Sequence, residues 1–241
     1  MKRRNVVFLG GPLLEVATRM DVVDNTSKQV LVGTVVTDLQ GCGGYHPVVF
    51  LERQAIEVLV FRQYAMQQGQ VKLTVTVDGW LRSAPHLPAI VADRVKIDVA
   101  ESVRRQAAQR VQEILSGQVI PATPCDPVSG NGACLRPEMR RHGNPVRGAT
   151  NYVSLAGHLR SIERTRVPVE GIALPGARGY IETDAPEYGA RHPVSFPFDL
   201  APQVLDACAS GEPVEVALHG WLWSDPVRGW HRVHADDVQF L

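Results

Sequence analysis

Apolar residues occupy every second position in several stretches of this chain. Val7, Leu9, Gly11 and Leu13 share one parity, and so do Val71, Leu73, Val75, Val77, Gly79 and Leu81. Val214, Val216, Leu218, Gly220 and Leu222 repeat the pattern near the C-terminus. Such alternation sends one row of side chains into a core and the other outward, so each stretch predicts a half-buried strand. Elsewhere the period lengthens. Ile56, Leu59, Val60 and Tyr64 fall on one face of a predicted helix from Gln54 to Gln67, which Gly69 ends. A shorter helix is predicted over Ala201–Ala209, closed by Gly211. Asp98 and Glu101 have the spacing of a capping box. Val103, Ala107, Val111 and Leu115 follow at four-residue intervals up to Gly117, which predicts an amphipathic helix of about five turns.

The pattern occurs twice. Asn5-Val6-Val7-Phe8-Leu9-Gly10-Gly11-Pro12-Leu13 aligns with Asn151-Tyr152-Val153-Ser154-Leu155-Ala156-Gly157-His158-Leu159, both reading N-x-V-x-L-x-G-x-L at an offset of 146 residues. Without a gap, Gly33–Asp38 then matches Gly179–Asp184, and His46-Pro47-Val48-Val49-Phe50 matches His192-Pro193-Val194-Ser195-Phe196. Farther on, Gly79-Trp80-Leu81 pairs with Gly220-Trp221-Leu222 at an offset of 141, and Ala92-Asp93 with Ala235-Asp236 at 143. Separated blocks at nearly one offset mark an internal duplication. The expected division is a first module over 1–98, a helix and irregular connector over 99–150, and a second module over 151–241. Each module reads as three strands, a helix and two strands. That is the order of the OB-fold, a five-stranded Greek-key barrel. The predicted class is therefore all-β with short helices: two tandem barrels joined by a helix and a Pro/Gly-rich connector.

Composition narrows the setting. Hydrophobic residues make up 44% and charged residues 21%, the balance of a globular protein. The basic start Met1-Lys2-Arg3-Arg4 meets Gly10-Gly11-Pro12 too soon for a signal-peptide core, and no apolar run is long enough to span a membrane. A cytoplasmic protein without a membrane anchor is expected. Cys42, Cys125, Cys134 and Cys208 form no C-x-x-C pair. Cys125 and Cys134 could bridge if oxidised, but reduced thiols fit a cytosolic setting. Net charge is zero. It is unevenly spread: residues 1–98 carry 11 Lys/Arg against 9 Asp/Glu, residues 99–150 carry 7 against 4, and residues 151–241 carry 7 against 12. Contact with phosphates would then depend on local placement of cations. The connector concentrates Arg136, Arg140, Arg141 and Arg147, which reads either as a solvated linker or as a basic arm over bound nucleic acid.

The repeated N-x-V-x-L-x-G-x-L block resembles the first strand of bacterial single-stranded DNA-binding proteins. Tyr45-His46-Pro47-Val48-Val49-Phe50 resembles that family's Trp-His-x-Val-Val strand. Gly69-x-Val71 with Gly79-x-Leu81-Arg82 resembles its fourth strand. The likeness covers residues 5–98 and 151–241, but not the connector, and two modules in one chain resemble the family's tandem variant. It implies sequence-independent binding of single-stranded DNA in replication, repair or recombination, without chemistry and without a cofactor, by a homodimer presenting four barrels. Such sites combine a basic groove with aromatic rings on which bases stack. Tyr45 stands at the family's stacking Trp, and Arg191 is its counterpart in the second copy. Arg82 matches the family's hairpin Arg, and Trp223 is its counterpart. Trp223, Arg228, Trp230 and Arg232 then interleave rings and cations in one hairpin, which is expected to count most. The family's acidic tail, which recruits replication and repair partners, has no match at Asp236-Asp237-Val238-Gln239-Phe240-Leu241.

Other candidates have plainer readings. Trp80 and Trp221 should face outward, to cover an interface or to stack bases. His46 and His192 read as structural, being too isolated for metal ligands. Asp38 and Asp184 read as strand-end turn residues. Gly41-x-Gly43-Gly44 lacks the Lys-Ser/Thr of a phosphate-binding loop. No catalytic triad or acid pair stands out, so no enzyme is expected. The alternative to DNA binding is an OB-fold scaffold for protein contacts, favoured by the zero net charge and the absent tail.

Overall fold

A computed structural model describes residues 5–23, 26–37, 44–70, 72–82, 90–117, 149–169, 172–183, 191–225 and 230–241. The first copy comprises β1 (Asn5–Val23), β2 (Thr26–Val36), β3 (Tyr45–Phe50), α1 (Glu52–Gln67), β4 (Leu73–Leu81) and β5 (Ile90–Asp98). After α2 (Glu101–Leu115), the second comprises β6 (Thr150–Val169), β7 (Ile172–Glu182), β8 (Arg191–Phe196), α3 (Ala201–Ala207), β9 (Val214–Asp225) and β10 (Trp230–Phe240). In the first copy β1 pairs with β2 and β4, β2 with β3, and β5 with both β3 and β4, which closes the ring. The second copy closes in the same way through β6-β7-β8-β10-β9. Among the described strand pairs, β3–β5 and β8–β10 run parallel and the rest antiparallel. These are two five-stranded OB barrels, as the alternation predicts.

The core rows are the predicted ones. Val7, Leu9, Val75, Val77 and Leu81 are buried in the first barrel, and Val153, Leu155, Val216, Leu218 and Leu222 in the second. Each such burial contributes about 1.5–3 kcal/mol. The repeat reaches into irregularities too. Glu15 and Ser161, one offset apart, both take positive φ (42° and 54°) where β1 and β6 bulge. At Gly11 a Cβ would collide with the Val36 carbonyl, and at Gly157 with the Glu182 carbonyl. The motif's glycine is therefore a matter of space between crossing strands.

The barrels join through β1 and β6, antiparallel, with Val7 opposite Val153, its own counterpart. A local pseudo-two-fold axis passes between them, and both interiors merge into one buried cluster. Polar groups repeat about this axis. The Asn5 amide donates to Leu81 O (2.8 Å) and accepts from Leu81 N (3.0 Å); Asn151 does the same with Leu222 (2.8 and 2.9 Å). Asn151 Nδ2 also lies 3.3 Å from His46 Nε2, and Asn5 Nδ2 lies 3.3 Å from His192 Nε2, each across the junction.

The helices depart from expectation in detail. The helix after β5 has Ala100 at its N-cap with no side-chain cap, because Asp98 still belongs to the strand and pairs with Thr74. It therefore has 15 residues, about four turns. Ala107 and Val111 pack on Val60, Ile56 and Tyr64 of α1, while Val103 joins the barrel core and Leu115 is exposed. The other side of α1, with Val58 and Ala65, closes the first barrel. Cys42, Cys125, Cys134, Asp38, Asp184, Gly41, Gly43 and the connector arginines lie outside the described residues.

Candidate nucleic-acid interface

Strand register decides which side chains share the outward face of the second barrel. Tyr180 lies opposite Pro193, Arg178 opposite Ser195, and Glu182 opposite Arg191. The parallel β8–β10 pair sets Ser195 beside His234. On β9, Trp221 is opposite His234, Trp223 opposite Arg232, and Asp225 opposite Trp230. Because Ile181, Val194, Leu222 and Val233 point into the core, the period of two turns Arg178, Tyr180, Arg191, Trp223, Trp230 and Arg232 outward. One face thus gathers three rings and three guanidinium groups from four strands.

Charges on this face are partly paired. Arg191 sits 3.3 Å from Glu182 and 5.1 Å from the centre of the Tyr180 ring. Arg160 also pairs with Glu182, and Arg178 with Glu163. Four arginines, Arg232 included, against two glutamates leave a surplus of two positive charges on an otherwise acidic module. Burial pulls the Arg232 pKa down, and the Arg178 charge pulls it further. Trp230 and Tyr180 are exposed, whereas Trp223 is half-buried. Near the junction Tyr152, also exposed, stacks on His219 at 5.7 Å with 20° between planes.

The first barrel has diverged at the same places. Val32, Thr34 and Tyr45 stand where the second has Arg178, Tyr180 and Arg191. Beneath Trp80 lies a buried cluster of Val30, Val49 and Val91; the counterparts are Gly176, Ser195 and His234, where Ser195 Oγ is 2.8 Å from His234 Nδ1. Trp80 and Trp221 occupy matching half-buried positions. Each hydrogen-bonds a carboxyl of its own barrel, Asp93 or Asp236, whose pKa burial nevertheless raises. Trp221 stacks on His234 with ring centres 4.2 Å apart.

The expected contact residues therefore separate. Arg191, Trp223, Trp230 and Arg232 come together on the second barrel. Tyr45 is half-buried on the first, and Arg82 there is only 3% exposed, which leaves its guanidinium little surface to offer a phosphate. Arg228 lies outside the described residues. Arg178 and Tyr180, on β7, escaped the sequence reading. A signal for them existed: at offset 146 they replace Val32 and Thr34, a cation and a ring in place of uncharged, non-aromatic strand residues.

Two closed barrels of this connectivity, joined through their first strands, define a tandem OB-fold protein. Among solved structures, the whole chain matches the wild-type single-stranded DNA binding protein from Thermus aquaticus with a TM-score of 0.55 and 15% identity, covering 100% of this chain and 94% of that one. A deletion mutant of that protein (delta 228-252 R190A) matches with a TM-score of 0.55 and 16% identity, covering 100% and 95%. At this identity the likeness carries the fold. No protein-family model and no curated protein sequence matches the chain. Among the described residues, no helix is long and apolar enough to cross a membrane.

Proposed function

We propose that this chain binds and protects single-stranded DNA without catalysing a reaction, mainly through the outer face of its second barrel. The observation that carries this reading is the register that sets Trp223 opposite Arg232 and brings Tyr180 and Arg191 into the same face. Rings give bases of any sequence a platform, and guanidinium groups follow the backbone. The family resemblance of the repeated motifs and the likeness of fold support the same conclusion. In this reading the chain divides into barrel modules at 1–98 and 151–241 with a connector at 99–150. It acts in the cytoplasm in replication, repair or recombination, as a homodimer presenting four barrels. A monomer by light scattering at micromolar concentration would contradict the dimer.

The test is a tryptophan-fluorescence titration with oligo-dT at several salt concentrations. Trp223→Ala is expected to weaken binding by about 1–3 kcal/mol with its salt dependence nearly unchanged, because a ring is lost and no charge. If the wild-type chain binds no oligonucleotide even at low salt, the reading fails and a scaffold for protein contacts takes its place. If it binds while Trp223→Ala has no effect, the contact face is elsewhere.

A further inference from the structure

Arg232 has an unusual setting. It is half-buried, and among the described residues it forms no ion pair. Its charged neighbour is Arg178, another cation, and Tyr180 lies beside both. The three help line a pocket of about 220 Å³ with Ser161, Glu163 and Pro193. Two guanidinium groups held together in a partly desolvated recess repel each other. An anion between them would reverse the sign of that interaction. The lining favours an oxyanion over an apolar group, since it presents two planar N–H forks.

We infer that Arg178 and Arg232 together hold one phosphate of the bound strand, in a subsite that belongs to the second barrel alone. The inference rests on the single-strand reading for the identity of the ligand. At the matching positions the first barrel has Val32 for Arg178, Thr34 for Tyr180, and Ala89 for Arg232 at the local offset of 143, while Glu15 replaces Ser161. Ala17 stands for Glu163, so these positions keep one carboxylate and supply no positive charge. Glu163 is the internal competitor, because it already engages Arg178. A base stacked on the Tyr180 and Arg191 platform would stand next to the held phosphate, so the two subsites fix a register for the strand.

The full chain is titrated with oligo-dT across salt concentrations and, separately, with inorganic pyrophosphate followed by calorimetry. Arg178→Gln and Arg232→Gln should each lower the salt slope by about 0.7, the value for one phosphate on a single strand. The double variant should lower it by about 0.7 in total, not twice that, since both side chains serve one phosphate. Glu163→Gln should tighten oligo-dT binding by about two- to fivefold, the worth of an exposed ion pair released. Pyrophosphate should bind the wild type and not the double variant. Both arginines reach the surface, so unchanged melting temperatures will confirm that the variants fold. Unchanged salt slopes in both single variants, or an additive loss of about 1.4 in the double one, overturn the shared subsite. If the wild type ignores oligo-dT, the proposed function falls, and pyrophosphate alone decides the anion site. Failure of the wild type to bind pyrophosphate then overturns that too.

Discussion

At Asn5 and Asn151 a side-chain amide takes over from the backbone. Each donates to and accepts from one leucine of the fourth strand of its own barrel, adding one more rung to the ladder. The same Nδ2 reaches the other barrel's histidine, and an amide nitrogen can only donate, so His46 Nε2 must accept. His46 is then the neutral Nδ1–H tautomer, with Nδ1 donating to Ser224 Oγ at 2.9 Å and Thr37 Oγ1 2.9 Å from Nε2. One residue therefore ties strand end, barrel core and junction together. Asn151→Ala leaves the Leu222 amide and carbonyl without these partners in a half-buried site. Urea unfolding should show a loss of about 1–3 kcal/mol, and Asn5→Ala a similar one. A loss below about 0.5 kcal/mol in both, the range of ordinary surface substitutions, would mean that water replaces the amide at no cost.

Among the elements, α2 shows how its own barrel consumes an apolar stripe. Ala107 is fully buried against Val60 of α1, while Ala108 is exposed. Ala107→Leu should cost about 1–3 kcal/mol by overpacking the helix contact, and Ala108→Leu should be within about 0.5 kcal/mol of wild type in the same thermal unfolding assay. Equal effects would show that α2 is not docked. The strands were legible in the sequence because a period of two states which row is buried, and the duplication corroborated every block. The start of α2 was not, since Asp98 and Glu101 match a capping box only if the chain has already left the strand, and Asp98 has not. The proposed contact face was half legible. Trp223, Trp230 and Arg232 lie in one hairpin and announce themselves by proximity. Tyr180 and Arg178 join them only through the β7–β8 register and the parallel β8–β10 pairing, which are long-range facts that no local pattern contains. Arg82 came only from the family resemblance, as a hairpin cation, and the residue is 3% exposed.

Across the whole molecule, four buried histidines, His46 and His192 at the junction of the barrels and His231 and His234 within the second, make stability a function of pH. Burial lowers the pKa of His46 and of His192 to about 3, and those of His231 and His234 to about 4. At His192 the neighbouring His231 ring adds to the effect, and at His234 the Arg232 guanidinium does. Among the described residues the buried His231 Nε2 has no hydrogen-bond partner to compensate a charge. An unfolded chain protonates these rings near pH 6.5. Between that pH and the folded values the unfolded state binds more protons, so stability must fall as pH falls. Each histidine contributes up to about 1.4 kcal/mol per pH unit across this window. Asp93 and Asp236, with raised pKa values, act in the opposite direction but only near the carboxylate range. Urea unfolding at pH 7.5, 5.5 and 4.5 should therefore show a steep loss that begins below 6.5. His46→Gln should be less stable than wild type at pH 7.5, yet lose about 1.4 kcal/mol less per pH unit on acidification. An identical pH slope in wild type and His46→Gln would mean that the ring titrates alike in both states. The neutral Asn151–His46–Ser224 bridge between the barrels would then be the wrong account of how the two copies are held together.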